Sequence, residues 1–95
     1  MQPFHMKRLG VIMRGDPQNP DEALGVLNPA AARSRDNSRL YVFPRVVAAG
    51  NYSRIGLAEV LFDAAGEPVG VKRRGYVLEP TESYEQNAHT AGCED

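Results

Sequence analysis

The sequence predicts an all-β protein of antiparallel strands. Three observations carry this: runs rich in Val, Ile, Leu, Tyr and Phe recur along the middle of the chain; clusters of turn-forming residues separate them at intervals of about ten to fifteen residues; and the clearest run alternates along its length. With 95 residues the chain holds at most one small domain, and residues 1–95 are read as part of a single one.

The first apolar run, Leu9 to Met13, leads into Gly15, Asp16, Pro17, Asn19 and Pro20, whose prolines forbid a central strand or a helix interior. Asp21 to Leu24 has room for one helical turn. Asn28-Pro29 then opens a short strand of small residues, Ala30 to Arg33. Arg35, Asp36 and Asn37 supply turn chemistry, because Asn and Asp tolerate left-handed backbone.

Arg39 to Val47 (RLYVFPRVV) is the next strand. Pro44 inside it cannot donate to a ladder and belongs at an edge, a bulge or a strand end; a bulge there would re-aim Arg45. After a turn at Ala48 to Asn51, the run Ser53 to Asp63 places Ile55, Leu57, Glu59 and Leu61 on one side and Arg54, Gly56, Ala58, Val60 and Phe62 on the other. Neither side is cleanly polar, so both are expected to be partly covered. Asp63 to Pro68 makes a hairpin-like connection into Val69 to Leu78, and the remainder after Pro80 shows no useful periodicity.

Four strands in succession make one meander of about the ~40 to 50 residues of a propeller blade. An isolated meander of this size buries only one face well and requires neighbours.

Charge and composition narrow the function classes. Eleven Lys and Arg against twelve Asp and Glu give a net charge of -1, so no bulk attraction to nucleic acid or an anionic membrane is implied. Cys93 is the sole cysteine, which excludes an internal disulfide and fits a reducing compartment. The N-terminal apolar stretch is too short for a signal or a membrane span, and a cytoplasmic location is expected. The Asn51-Tyr52-Ser53 sequon is then coincidental. Lys72-Arg73-Arg74 reads as a solvated basic face. Asp16, Asn19, Asp21 and Glu22 do not follow calcium-loop spacing, and His5 and His89 lack a second imidazole at ligand spacing.

Four stretches in order, Leu9 to Pro29 (LGVIMRGDPQNPDEALGVLNP), FPR at 43–45, NYSRIGLAEV at 51–60 and GCED at 92–95, resemble the N-terminal part of glycoside hydrolase family 130. That family holds β-mannoside phosphorylases and related mannosidases on a five-bladed β-propeller. The resemblance runs from Lys7 to Asp95 and implies the first one to two blades of such a propeller. A complete one needs over ~200 residues, so the chain is expected to be an N-terminal fragment, inactive alone.

In that family GCED continues as Gly-x-Glu-Asp-Pro-Arg, and its aspartate is the catalytic acid; the resemblance assigns that role to Asp95. It implies inverting phosphorolysis to mannose 1-phosphate, with inorganic phosphate as co-substrate, no other cofactor, and a proton passed through a sugar hydroxyl to the leaving oxygen. Hydrolysis by a related mannosidase is the alternative within the family. An acid in this role needs a raised pKa, to which Glu94 beside Asp95 could contribute.

Three further residues are substrate-binding candidates. Asn28 offers an amide donor and a carbonyl acceptor suited to a pair of sugar hydroxyls, or a cap for the turn before Pro29. Arg45 presents a guanidinium fork for vicinal hydroxyls or phosphate. Arg54 either reaches a central channel or pairs with a neighbouring acid. The expected partners are a β-mannoside oligosaccharide and phosphate, with neither nucleic acid nor membrane. The alternative of a different class is a small non-catalytic β module for carbohydrate binding or assembly. Open sheet edges permit a homo-oligomer under either reading.

Overall fold

The computed structural model describes residues 4–82 and Gly92. Four strands, β1 (Gly25–Arg33), β2 (Leu40–Ala48), β3 (Tyr52–Phe62) and β4 (Pro68–Leu78), form one antiparallel sheet in the order β1-β2-β3-β4. A single 3-10 turn, Pro20–Glu22, precedes them. The expected all-β meander is therefore present, and no helix among the described residues is long and apolar enough to cross a membrane.

Short polar connections join the strands. In the first, the Asp36 carboxylate accepts from Ser34 Oγ (2.6 Å), Ser38 N (2.9 Å) and Ser38 Oγ (2.7 Å), with Asn37 in the left-handed region. The second, between Ala48 and Tyr52, closes with Asn51 N donating to Ala48 O. In the third, Asp63 accepts from the backbone of Ala65 and Glu67. A short Asn or Asp side chain that bonds its own backbone holds these turns without help from elsewhere in the protein.

Two expectations about β1 and β2 are corrected by the register. β1 begins at Gly25 and runs through Asn28-Pro29, where the short Ala30–Arg33 strand was expected to open. Pro44 lies inside β2, which is paired on both sides, and β2 carries no bulge there. The irregularity is in β1 instead: Leu27 pairs with Arg45 and Ala30 with Phe43, so Asn28 and Pro29 together oppose the single residue Pro44. Two prolines, neither with an N–H to give, meet where the ladder is interrupted. Asn28 takes φ 48° to make the step, a conformation that Asn accepts at lower cost than most residues.

The expected segregation of β3 side chains holds. Cα partners share a face, so Val46 with Arg54, Val42 with Ala58 and Arg73, and Gly56 with Tyr76 define one face of the sheet. Arg45 with Ile55, and Tyr41 with Glu59 and Lys72, define the other. Residues 11–22 lie as a strap across the first face, with Ile12 and Met13 against Val26, Val42 and Pro44. Leu9–Met13 is thus a covering segment without strand structure. Its apolar side chains serve the sheet from above, which the composition alone did not separate from pairing within it.

The buried apolar residues are Val46, Val47, Ile55, Ala58 and Val60, all from the two central strands. None is larger than Ile55, so hydrophobic burial is modest, and polar contacts carry much of the specificity with which the strap is seated.

Candidate functional site

The densest side-chain constellation lies where the strap meets β3 and β4. Glu22, only 4% exposed, is gripped by Arg73: Nε donates to Oε2 at 2.9 Å and Nη2 to Oε1 at 2.8 Å. The Asp16 N–H adds a bond to Oε1 at 2.9 Å, and Asn19 Nδ2 reaches Oε2 at 3.3 Å. Arg73 Nη2 also donates to Arg14 O, so one guanidinium ties two points of the strap to β4.

The network continues from Asn19. Its Nδ2 donates to Tyr76 Oη at 3.2 Å, and Tyr76 Oη donates to Asp21 Oδ2 at 2.9 Å. Arg54 Nη1 stands 3.3 Å from Asp21 Oδ1, and Arg54 Nε donates to Glu79 at 3.2 Å. Six side chains thus form one connected run from Arg54 to Arg73.

Local folding explains each placement. The Asn19 side chain caps the 3-10 turn by accepting from Asp21 N, and Pro20 starts the turn with φ already set; this aims Asp21 and Glu22 at the sheet. On β4, Arg73 pairs with Ala58 but Gly75 pairs with Leu57, leaving Arg74 as an extra residue in a bulge. Gly75, at φ 104°, supplies the backbone conformation the bulge requires. The bulge sends Arg73 to Glu22 on the strap face and Arg74 to Glu59 on the opposite face. The basic triplet is therefore no uniform solvated face: two of its arginines hold carboxylates on opposite sides of the sheet.

Burial pushes the Glu22 carboxyl upward, but the hydrogen bonds from Arg73, Asp16 and Asn19, with the Arg73 charge, bring it below its ordinary value of 4.5. Burial raises the Tyr76 phenol, opposed by the bond from Asn19 and reinforced by Asp21. Glu22 is thus a committed anion and Tyr76 a committed donor at neutral pH. Neither is poised to exchange a proton with a substrate.

The cleft under the strap, bordered by Met13, Asn19, Gly56, Arg73 and Tyr76, encloses about 140 Å³. That is room for a few waters at ~30 Å³ each and well short of the ~300 Å³ at which ligand pockets begin. The constellation is a clasp that seats the strap. Asp21 and Glu22 are spent on Arg54, Tyr76 and Arg73, and among the described residues no three His, Cys, Asp or Glu side chains converge as metal ligands.

The sequence-derived candidates gather at one end of the sheet. Asn28 sits in the β1 bulge, next to Leu27, whose Cα partner is Arg45; Arg45 in turn pairs with Ile55, the neighbour of Arg54. Arg45 and Arg54 occupy successive register positions and so project from opposite faces. Of the two roles foreseen for Arg54, pairing with a neighbouring acid is the one observed. Asp95 lies outside the described residues. Gly92, three residues before it, packs so closely on the backbone of Ser53 that a Cβ at that position would overlap it.

Glu22, Arg73, Tyr76, Asn19 and Asp21 were not legible as one cluster. Residues 19–22 and 73–76 are separated by more than fifty positions, and the β4 bulges break the alternation that would have put Arg73 and Tyr76 on a common face. Comparison with protein-family models, curated proteins and solved structures finds no match to the chain.

Proposed function

We propose that this chain supplies the first blade of a β-propeller enzyme that cleaves β-mannosides, as its resemblance to glycoside hydrolase family 130 implies, with Asp95 as the proton source. The observation supporting this reading best is the convergence of Asn28, Arg45 and Arg54 at one end of three adjacent strands, where Gly92 meets Ser53. The four-stranded antiparallel meander is the unit from which propeller blades are made, which supports the same reading.

In the reaction, a phosphate oxygen forms a bond to the anomeric carbon as the glycosidic C–O bond breaks, and the electron pair leaves on the glycosidic oxygen. A sugar hydroxyl protonates that oxygen and is reprotonated by Asp95, giving mannose 1-phosphate with inversion. Asn28 and Arg45 hold sugar hydroxyls or phosphate. Arg54, neutralised by Asp21 and Glu79, acts as a positioning residue that fixes the start of β3.

The test is to express the complete open reading frame containing these residues and assay it on a panel of β-mannosides with and without phosphate. Phosphate-dependent release of mannose 1-phosphate, falling by ~10²-fold or more in Asp95→Asn, is the expected result. Release of free mannose without phosphate would assign hydrolysis. Wild-type turnover in Asp95→Asn would remove Asp95 from the mechanism.

A further inference from the structure

The sheet face opposite the strap carries a second arrangement of a different kind. Tyr41, Glu59 and Lys72 stand side by side in register across β2, β3 and β4, and Phe43, Leu57 and Arg74 lie alongside them. Together with Arg39 these side chains border an open groove of about 400 Å³. Its floor is half-exposed aromatic and aliphatic surface, continued by Leu61, which is 42% exposed.

The charges around this floor are unbalanced. Glu59 is paired with Arg74 at 2.5 Å, and Arg39 and Lys72 also lie near enough to stabilise its charge. Three cations surround one carboxylate, so the patch carries two positive charges in excess on a chain whose net charge is -1. The adjoining Asp36 is turned inward to Ser34 and Ser38 and does not face the groove.

A ligand that matches this surface must cover an apolar floor and bring negative charge to its rim. An extended polypeptide with alternating apolar and acidic residues does both, since one side of the strand faces the floor while its carboxylates reach Arg39 and Arg74. A sugar would cover the two rings but leave the cations without counter-charge. A nucleic-acid strand would supply charge, but the aliphatic share of the floor gives it little to stack on.

We propose that the groove bordered by Arg39, Tyr41, Phe43, Leu57 and Arg74 docks an acidic, apolar-alternating strand of a partner protein. Binding joins the Tyr41–Phe43 floor to apolar side chains and sets carboxylates against Arg39, Lys72 and Arg74, with Glu59 holding Arg74 in position.

The test titrates the isotopically labelled chain with a capped ten-residue peptide of alternating valine and glutamate, and with its valine–glutamine counterpart. The readouts are the Leu57 methyl and Phe43 ring signals. The acidic peptide is expected to shift these signals and to bind at least ~5-fold more tightly than the neutral one, the preference fading at high salt. The double variant Arg39→Gln/Arg74→Gln is expected to bind both peptides alike. Equal affinity for the two peptides overturns the proposal, and so does the absence of any shift at ~1 mM peptide, a concentration that detects even weak docking. Stronger shifts with a manno-oligosaccharide or an oligonucleotide would also overturn it by assigning the groove to another class of ligand. The peptide comparison needs no protein variant, so the result does not depend on the double variant folding.

Discussion

Glu22 and Arg73, fifty-one residues apart in sequence, meet through two parallel hydrogen bonds of 2.8 and 2.9 Å beneath the strap. The carboxylate is almost wholly buried, while the guanidinium side chain remains 38% exposed. Removing Arg73 therefore strands a buried anion, whereas removing the Glu22 charge leaves a cation that can still reach water.

Arg73→Met is expected to destabilise the chain by about 3 kcal/mol and Glu22→Gln by about 1 to 2 kcal/mol, the second figure smaller because Arg73 is partly solvated. Urea denaturation of the two variants and of the double variant measures both costs. A double variant as stable as Glu22→Gln alone would show that the cost of Arg73→Met is that of the stranded carboxylate.

The same carboxyl gives an acid-sensitive contribution. Its folded-state pKa lies below 4.5, so the stabilisation is fully present above that value and is lost as pH falls through the lower folded value. Wild-type stability is expected to converge on that of Glu22→Gln as pH drops below 4.5. The difference between their denaturation midpoints at successive pH values isolates this group from Glu59 and Asp36, which are also lowered.

Tyr76 titrates in the opposite sense. Its folded-state pKa is raised above 10, so what it contributes is intact below pH 10 and is lost as pH rises through the folded value. Tyr76→Phe is expected to cost about 1 kcal/mol through the lost bonds to Asp21 and Asn19. It should also delete the corresponding late-ionising phenol from an alkaline absorbance titration.

Asn28 separates a backbone role from a binding role. Because its φ is 48°, Asn28→Gly is expected to leave stability within a few tenths of a kcal/mol, whereas Asn28→Val is expected to cost about 1 to 2 kcal/mol. If the amide also holds a sugar hydroxyl, Asn28→Gly in the complete enzyme raises KM for the mannoside while the fold is unchanged. Thermal denaturation and steady-state kinetics read the two effects separately.

How far the sequence could be read depended on where side-chain alternation survived. β3 keeps its period of two throughout, so its two faces and their mixed burial were legible from Ser53 to Asp63. β4 loses the period at Arg74 and again at Val77, and with it the separation of Arg73 from Arg74. Pro44 signalled an irregularity correctly in kind, but the extra residue lies on the partner strand, where Asn28-Pro29 absorbs it. The Leu9–Met13 run was recognisable as apolar, whereas its use as a cover depended on contacts with β1 and β2 that no local pattern encodes.

The two prolines that face each other between β1 and β2 divide β1 into two separate pairing segments, Gly25–Leu27 and Ala30–Arg33. Each segment keeps its own short set of inter-strand bonds, with the Asn28 step as a joint between them. Amide exchange in β1 should accordingly follow two opening events, and the half beside Arg45 can change its hold on β2 while the half beside Tyr41 stays zipped. The end of the sheet where Asn28, Arg45 and Arg54 gather thus has a freedom of movement that the opposite end lacks.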